Sequence, residues 1–217
     1  MSLIDGSGET SDLILTDRLV LVPVDLGVMA ALLAGDVPRA EGLLGVSLPD
    51  EILATLTPRR LERWSELLAG RPVPEHWCAR LVVLRNGPRV VGHAGFHGHP
   101  ADVSRAEIGY TVLEADRRQG YATEAVLGLV DWVRDRGVGE VYLSMTPDNA
   151  ASIGVATKAG FTHVGDQMDP DDGRELVYQL MLRDLPSQKG ARNSRFRILP
   201  EAFRGRTSTK STEVGHL

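Results

Sequence analysis

The sequence predicts an α/β (α+β) fold, a sheet flanked by helices, and three observations predict it. Short apolar, β-branched runs recur along the chain, at residues 16–24, 79–85, 89–96, 106–112 and 140–144. Between them lie stretches of helical spacing, weak over 25–70 and pronounced from Ala122 to Val133. Two turn-forming sequences, Asn86-Gly87-Pro88 and Asp169-Pro170-Asp171-Asp172-Gly173, sit between strand-like runs and mark hairpins.

Each element follows from its own residues. Residues 16–24 (TDRLVLVPV) alternate enough apolar side chains for a first strand, and 25–70 are broken by Gly and Pro into two or three short helices. Residues 79–85 and 89–96 make the first hairpin, and 106–112 form a strand after a His/Pro/Asp-rich loop. The clearest helix aligns Ala122, Ala125, Val126, Leu129, Val130 and Val133 on one stripe. Arg134 and Arg136 suit its last turn, and Gly137 supplies a left-handed cap. A strand at 140–144, a loop with Pro147 and Asp148, and a helix from Ala150 to Ala159 ended by Gly160 follow. Residues 161–168 and 174–182 close the domain as a second hairpin.

The chain has 217 residues, 42% hydrophobic and 24% charged, which suits one globular core with extensions. The expected division is a flexible start at 1–12, one domain at 13–185, and a basic, flexible tail at 186–217. A single cysteine, Cys78, closes no intrachain disulfide, and no Cys/His cluster has zinc-finger spacing. Residues 1–12 are Gly/Ser/acid-rich, and the longest apolar stretch, around Gly27 to Gly35, is too short to span a bilayer. A cytoplasmic setting with no membrane partner is the expectation. The net charge of −5 divides into +5 on the tail and −10 before it, a field that favours a cationic partner over nucleic acid. A nucleic-acid arm in the tail is the alternative to a solvated terminus.

The residues that carry chemistry begin at Arg117-Arg118-Gln119-Gly120-Tyr121-Ala122, between a strand and the strongly amphipathic helix. A helix start has N–H groups without intrahelical partners and, with its dipole, binds anions. Gly120 lets a phosphate approach the backbone, small Ala122 keeps the first turn uncrowded, and Arg117 and Arg118 add full charge. A diphosphate is the natural guest. The loop lacks the Lys-Ser/Thr of a nucleotide P-loop and the three glycines of a dinucleotide fingerprint.

This loop resembles the Gln/Arg-x-x-Gly-x-Gly/Ala signature of the GNAT superfamily of N-acetyltransferases. Ala106-Glu107-Ile108-Gly109-Tyr110 is similar to the preceding family strand, and Asn149 with Lys158-Ala159-Gly160-Phe161 to the following segment. Thr16-Asp17-Arg18-Leu19 resembles the opening of the RimJ/RimL-like branch. The resemblance implies a mixed, strongly bent sheet whose two splayed parallel strands hold acetyl-CoA. The implied cofactor contacts are Tyr110, Thr111, Val112, Arg117, Arg118, Gln119, Gly120, Tyr121, Ala122, Thr123, Asn149 and Ser152. A free backbone N–H at 110–112 would polarise the thioester carbonyl while a primary amine, from a protein N-terminus or a cationic small molecule, attacks in a ternary complex.

The attacking amine must be neutral, so a base is expected. Glu107 is the first candidate, on the expectation that a half-buried strand carboxylate has a raised proton affinity. Its plain reading is a strand-face Glu paired with an Arg. His97 is the second candidate base. His93, His97 and His99 share strand parity, but no carboxylate completes a ligand set, and the 169–173 turn places Gly173 and Leu180 wrongly for a calcium loop. No metal is therefore expected. The tyrosine that many relatives carry seven residues after the motif Asn is Ala156 here; Ser152 stands where the RimJ/RimL-like branch has a serine. That departure leaves a non-catalytic acyl-CoA-binding or regulatory module as the alternative. A homodimer is compatible with exposed strand edges.

Overall fold

The structure, a computed structural model, describes residues 13–68, 77, 79–97 and 105–182. The expectations for 1–12, Cys78, His99, most of the 97–105 loop and the basic tail lie outside these residues.

After β1 (Ile14–Leu15), Thr16 turns the chain: its N–H donates to the Leu19 carbonyl and its hydroxyl accepts from the Leu19 N–H, both at 3.0 Å. The strand predicted from residue 16 therefore starts at Leu19, as β2 (Leu19–Pro23). Four helices follow, where the sequence predicts two or three. Asp25 caps α1 (Leu26–Leu33) and Asp36 caps α2 (Val37–Leu44), each by accepting a first-turn N–H. Pro49 precedes α3 (Asp50–Thr55), and Pro58 opens α4 (Pro58–Leu68). Each pause in the helical spacing thus ends one helix and starts another.

The remaining elements are β3 (Ala79–Leu84), β4 (Val90–Phe96), β5 (Arg105–Val112), a 3-10 turn at Glu114–Asp116, α5 (Tyr121–Arg134), β6 (Glu140–Met145), α6 (Ala150–Lys158), β7 (Thr162–Asp169) and β8 (Gly173–Met181). Both predicted hairpins form, β3–β4 and β7–β8. The eight strands make one mixed sheet, ordered β1-β2-β3-β4-β5-β6-β8-β7.

Strand alternation distributes two cores across this sheet. Leu19, Leu21, Val82 and Phe96 pack on one side with Leu129, Val133 and Ala156 of α5 and α6. Val20, Val22, Leu81 and Val83 pack on the other with Met29, Leu44, Ile52 and Trp64 of α1 to α4. Helices therefore cover both faces of β2 and β3, which explains their uninterrupted apolar runs.

One junction breaks the regularity. β5 and β6 are parallel and pair only from Arg105↔Glu140 to Glu107↔Tyr142. Beyond Glu107, β5 stays registered with β4 and β6 with β8, so a gap opens between two strands that begin together.

Candidate active site

The gap leads to the start of α5. Arg118 (φ 62°) and Gly120 (φ 82°) both adopt left-handed backbone conformations, and Gly120 caps α5 with no side-chain hydrogen bond. The first-turn N–H groups of α5 are left pointing out of the helix end with no cap to occupy them. A non-glycine residue at the φ of Arg118 stores strain of the kind that collects at functional turns.

The turn is braced from a distance. Thr16 Oγ1 donates to Glu124 Oε1 (2.6 Å), the Arg18 N–H donates to the same oxygen (2.7 Å), and Arg18 Nε donates to Glu124 Oε2 (2.6 Å). Arg18 Nη1 also holds the Gln119 carbonyl at 3.0 Å. Burial pushes the Glu124 carboxyl up, but the Thr16 and Arg18 contacts outweigh it and hold it lowered, hence ionised. On the other side, Arg89 grips buried Asp116 through two 2.7 Å hydrogen bonds. The Thr-Asp-Arg-Leu segment thus has a structural reason: it locks the loop to the helix that the loop begins.

Here a cavity of about 1070 Å³ is lined by Tyr110, Thr111, Val112, Arg117, Arg118, Gly120, Tyr121, Ala122, Thr123, Asn149 and Ser152. Every expected cofactor residue except Gln119 lines it. Lys158, from the segment that resembles the family, lines it as well, as do Ala151 and Gly154 of α6, which sequence reasoning did not single out. Backbone alternation separates the three β5 candidates. The Glu107 carbonyl and the Leu113 N–H bond to β4, so the odd-numbered residues of β5 face that strand. The N–H groups of Tyr110 and Val112 therefore face the gap, and that of Thr111 does not.

A second cavity, of about 550 Å³, lies on the other side and shares Tyr110, Thr111, Asn149 and Ser152 with the first. It contains His97. Glu107 stands directly behind that ring, its Oε2 3.3 Å from His97 Nδ1, with side chains 47% exposed for His97 and 18% for Glu107. Tyr142 (3.0 Å) and Ser144 (2.5 Å) donate their hydroxyls to the same carboxylate. Burial alone raises the Glu107 carboxyl, but the hydrogen bond and charge of His97, then Ser144 and Tyr142, reverse this and hold it at about 2. The expected raised proton affinity is therefore corrected, because three donors converge on one carboxylate. Tyr142 is pushed up to about 12, by burial and then by Glu107, and so keeps the proton it donates. A Cβ on Gly109 would stand 2.4 Å from His97 Nε2, so the missing side chain is what lets the imidazole lie against β5.

Asn149 caps α6, its Oδ1 accepting from the Ser152 N–H at 3.0 Å, and this leaves its amide donors for the cavities it lines. Ala156 is buried and has no hydroxyl to offer. The Tyr110 hydroxyl is buried without a well-formed hydrogen bond among the described residues. Burial raises this phenol, and the neighbouring Ser152 hydroxyl partly offsets the push.

The other candidates resolve into structure. His93 is 5% exposed, edge-on to Trp64, and lowered to about 3 by burial and then by the charge of Arg60. In the acidic turn, Asp169 accepts from the N–H groups of Asp171 (2.8 Å) and Asp172 (2.9 Å), the work of a hairpin turn. Among the described residues, no group of three His, Cys, Asp or Glu is arranged to hold a metal, and no helix is long and apolar enough to cross a membrane.

The fold has counterparts among solved structures. In fold, the chain is similar to RimL, the ribosomal L7/L12 alpha-N-protein acetyltransferase, in its apo form (TM-score 0.55, 18% identity, 78% of this chain and 98% of that one). It is similar to RimL in complex with coenzyme A as well (0.53, 22%, 78% and 97%). In sequence, it is 27% identical over 147 residues to the uncharacterized N-acetyltransferase YjdG of Bacillus subtilis (strain 168), spanning 67% of this chain and 87% of that one. Residues 18–162 match the family described as the acetyltransferase (GNAT) domain. With the splayed strands, the bare helix start and this match in agreement, the chain belongs to the GNAT acetyltransferases.

Proposed function

We propose that the protein transfers the acetyl group of acetyl-CoA to a primary amine by direct attack, within the RimJ/RimL-like branch of the family. One observation carries this reading: the two cavities meet at Tyr110, Asn149 and Ser152. A donor in one and an acceptor in the other therefore approach without a covalent stop on the protein.

The residues fit acetyl-CoA. The first turn of α5 with Arg117 and Arg118 suits its diphosphate, and the gap between β5 and β6 suits its pantetheine arm. Acetyl-CoA supplies an activated acyl group on a thiolate leaving group. The N–H groups of Tyr110 and Val112 donate along the gap, where the thioester carbonyl gains negative charge.

His97 is the base. Glu107 fixes Nδ1–H toward itself, so the Nε2 lone pair is left to take the proton of the attacking amine. Glu107, held at about 2, orients the ring and is no proton acceptor near pH 7. The C–N bond forms and the C–S bond breaks, the Ser152 hydroxyl donates a hydrogen bond to the leaving sulfur, and the proton that His97 takes from the amine balances the one the released thiolate acquires.

Thiol release from acetyl-CoA across a panel of peptides, polyamines, amino acids and aminoglycosides tests the reaction. CoA binding without release on any amine supports the non-catalytic module in its place. On an active acceptor, His97→Ala is expected to lower kcat by about 10²- to 10⁴-fold at neutral pH. A pH–rate profile unchanged in that variant removes His97 as base.

A further inference from the structure

The proposal concerns the acceptor, and it rests on the transferase reading above. One wall of the acceptor cavity is cationic: Arg59, Arg60 and Arg63 of α4 line it, with Trp64 beside them. The same cavity is lined by Asp172 and Glu175 of the β7–β8 hairpin and by His97.

The three arginines are not equivalent. Arg59 is already used: its Nη2 pairs with Asp171 Oδ2 at 2.8 Å and ties α4 to the hairpin turn. Arg60 donates to the Thr55 carbonyl (2.6 Å) and meets His93 at 3.3 Å, with no carboxylate against it among the described residues. His93, held low by burial and by Arg60 itself, supplies no counter-charge. Arg63 forms no hydrogen bond or ion pair among the described residues. Its field nevertheless reaches Asp169, so the arginine stands near the hairpin turn.

The hairpin residues differ in kind. Glu175 is 7% exposed, and Gln167 donates to its Oε2 at 2.9 Å, which leaves Oε1 without a described partner. A buried carboxylate lining a cavity is a site for an ammonium group, whereas an open arginine fork is a site for a carboxylate.

We propose that the acceptor is a primary amine that also carries a carboxylate, held by Arg63 and Arg60 while its amine lies between Glu175 and His97. A polycation satisfies the acidic wall but meets the guanidinium charges unshielded. The arginines do not line the diphosphate cavity, so the charge is not there to hold coenzyme A.

The test compares matched pairs on the CoA-loaded protein by calorimetry, and then by thiol release with acetyl-CoA. The ω-amino acids from β-alanine to 6-aminohexanoate are set against alkylamines of the same length. The C-terminal amide of Ala-Asp-Ala is set against that of Ala-Asn-Ala, to separate a free amino acid from a peptide N-terminus. A preference of tenfold or more for the carboxylated member of at least one pair is expected, together with poor binding of spermidine. Arg63→Gln should collapse that ratio toward one, and Arg63→Lys should restore most of it. Equal binding within every pair overturns the proposal, as does a preference that survives Arg63→Gln. Carboxylate-dependent binding with no thiol release would retain this site and overturn the transferase reading; release on amines that lack a carboxylate, without preference, would do the reverse.

Discussion

Glu107 illustrates how one side chain changes role with its neighbours. Its carboxyl is held at about 2 against an ordinary 4.5, so it contributes stability that is complete above pH 4.5 and is lost as pH falls toward 2. Glu107→Gln removes that contribution. Urea unfolding between pH 5 and pH 2.5 should therefore show a shallower loss of stability in the variant than in the parent protein. Parallel losses would mean that Glu107 is not held by His97, Ser144 and Tyr142. Both members of the pair were legible in the sequence as candidate bases. Their division of labour was not, because it depends on the β4–β5 register that sets Phe96 opposite Ile108 and brings the His97 N–H to the Glu107 carbonyl. The role of Gly109 was unread for the same reason: nothing local says that an imidazole lies against it.

Among the elements, the turn into α5 was the most legible, since Arg117 to Ala122 and the apolar stripe after it declare their chemistry within a dozen residues. Gly120→Val tests it. Forcing a β-branched residue into the left-handed region costs about 1–2 kcal/mol, which a domain of roughly 5–15 kcal/mol tolerates. The variant should keep its circular dichroism and lose CoA affinity in calorimetry; normal affinity in a folded variant would refute the loop assignment. What holds the turn was less legible. Thr16 and Arg18 meet Glu124 across more than 100 residues of chain, and only the packing of β2 beside α5 makes them neighbours. Helix α4 was harder still: nothing in its own residues says that the β7–β8 hairpin lies beside it, where Arg59 pairs with Asp171.

For the whole molecule, the order of strands and helices was legible, and the two-sided burial of β2 and β3 agrees with their unbroken apolar runs. The short parallel ladder between β5 and β6 was not, because strand propensity does not say where a pairing stops. A ligand seated across that gap contacts both parts of the sheet and favours the folded chain by mass action. At about 100 times its Kd, coenzyme A should add about 2.7 kcal/mol of stability. That corresponds to a rise in Tm of roughly 5–10 °C for a domain of this size. A melt that coenzyme A does not shift at that concentration would count against the gap as its site.

The three residue pairs that join β5 to β6 also make the sheet incomplete in a specific sense. Beyond them, both strands present main-chain donors and acceptors at an inner edge, a place where proteins rarely leave strand edges open. An amide-bearing arm laid there completes the ladder as a borrowed strand would. On the proposed reading, the donor is recognised partly as a piece of missing backbone, a form of recognition that tolerates side-chain drift along β5 and β6 so long as their ladder ends where it does.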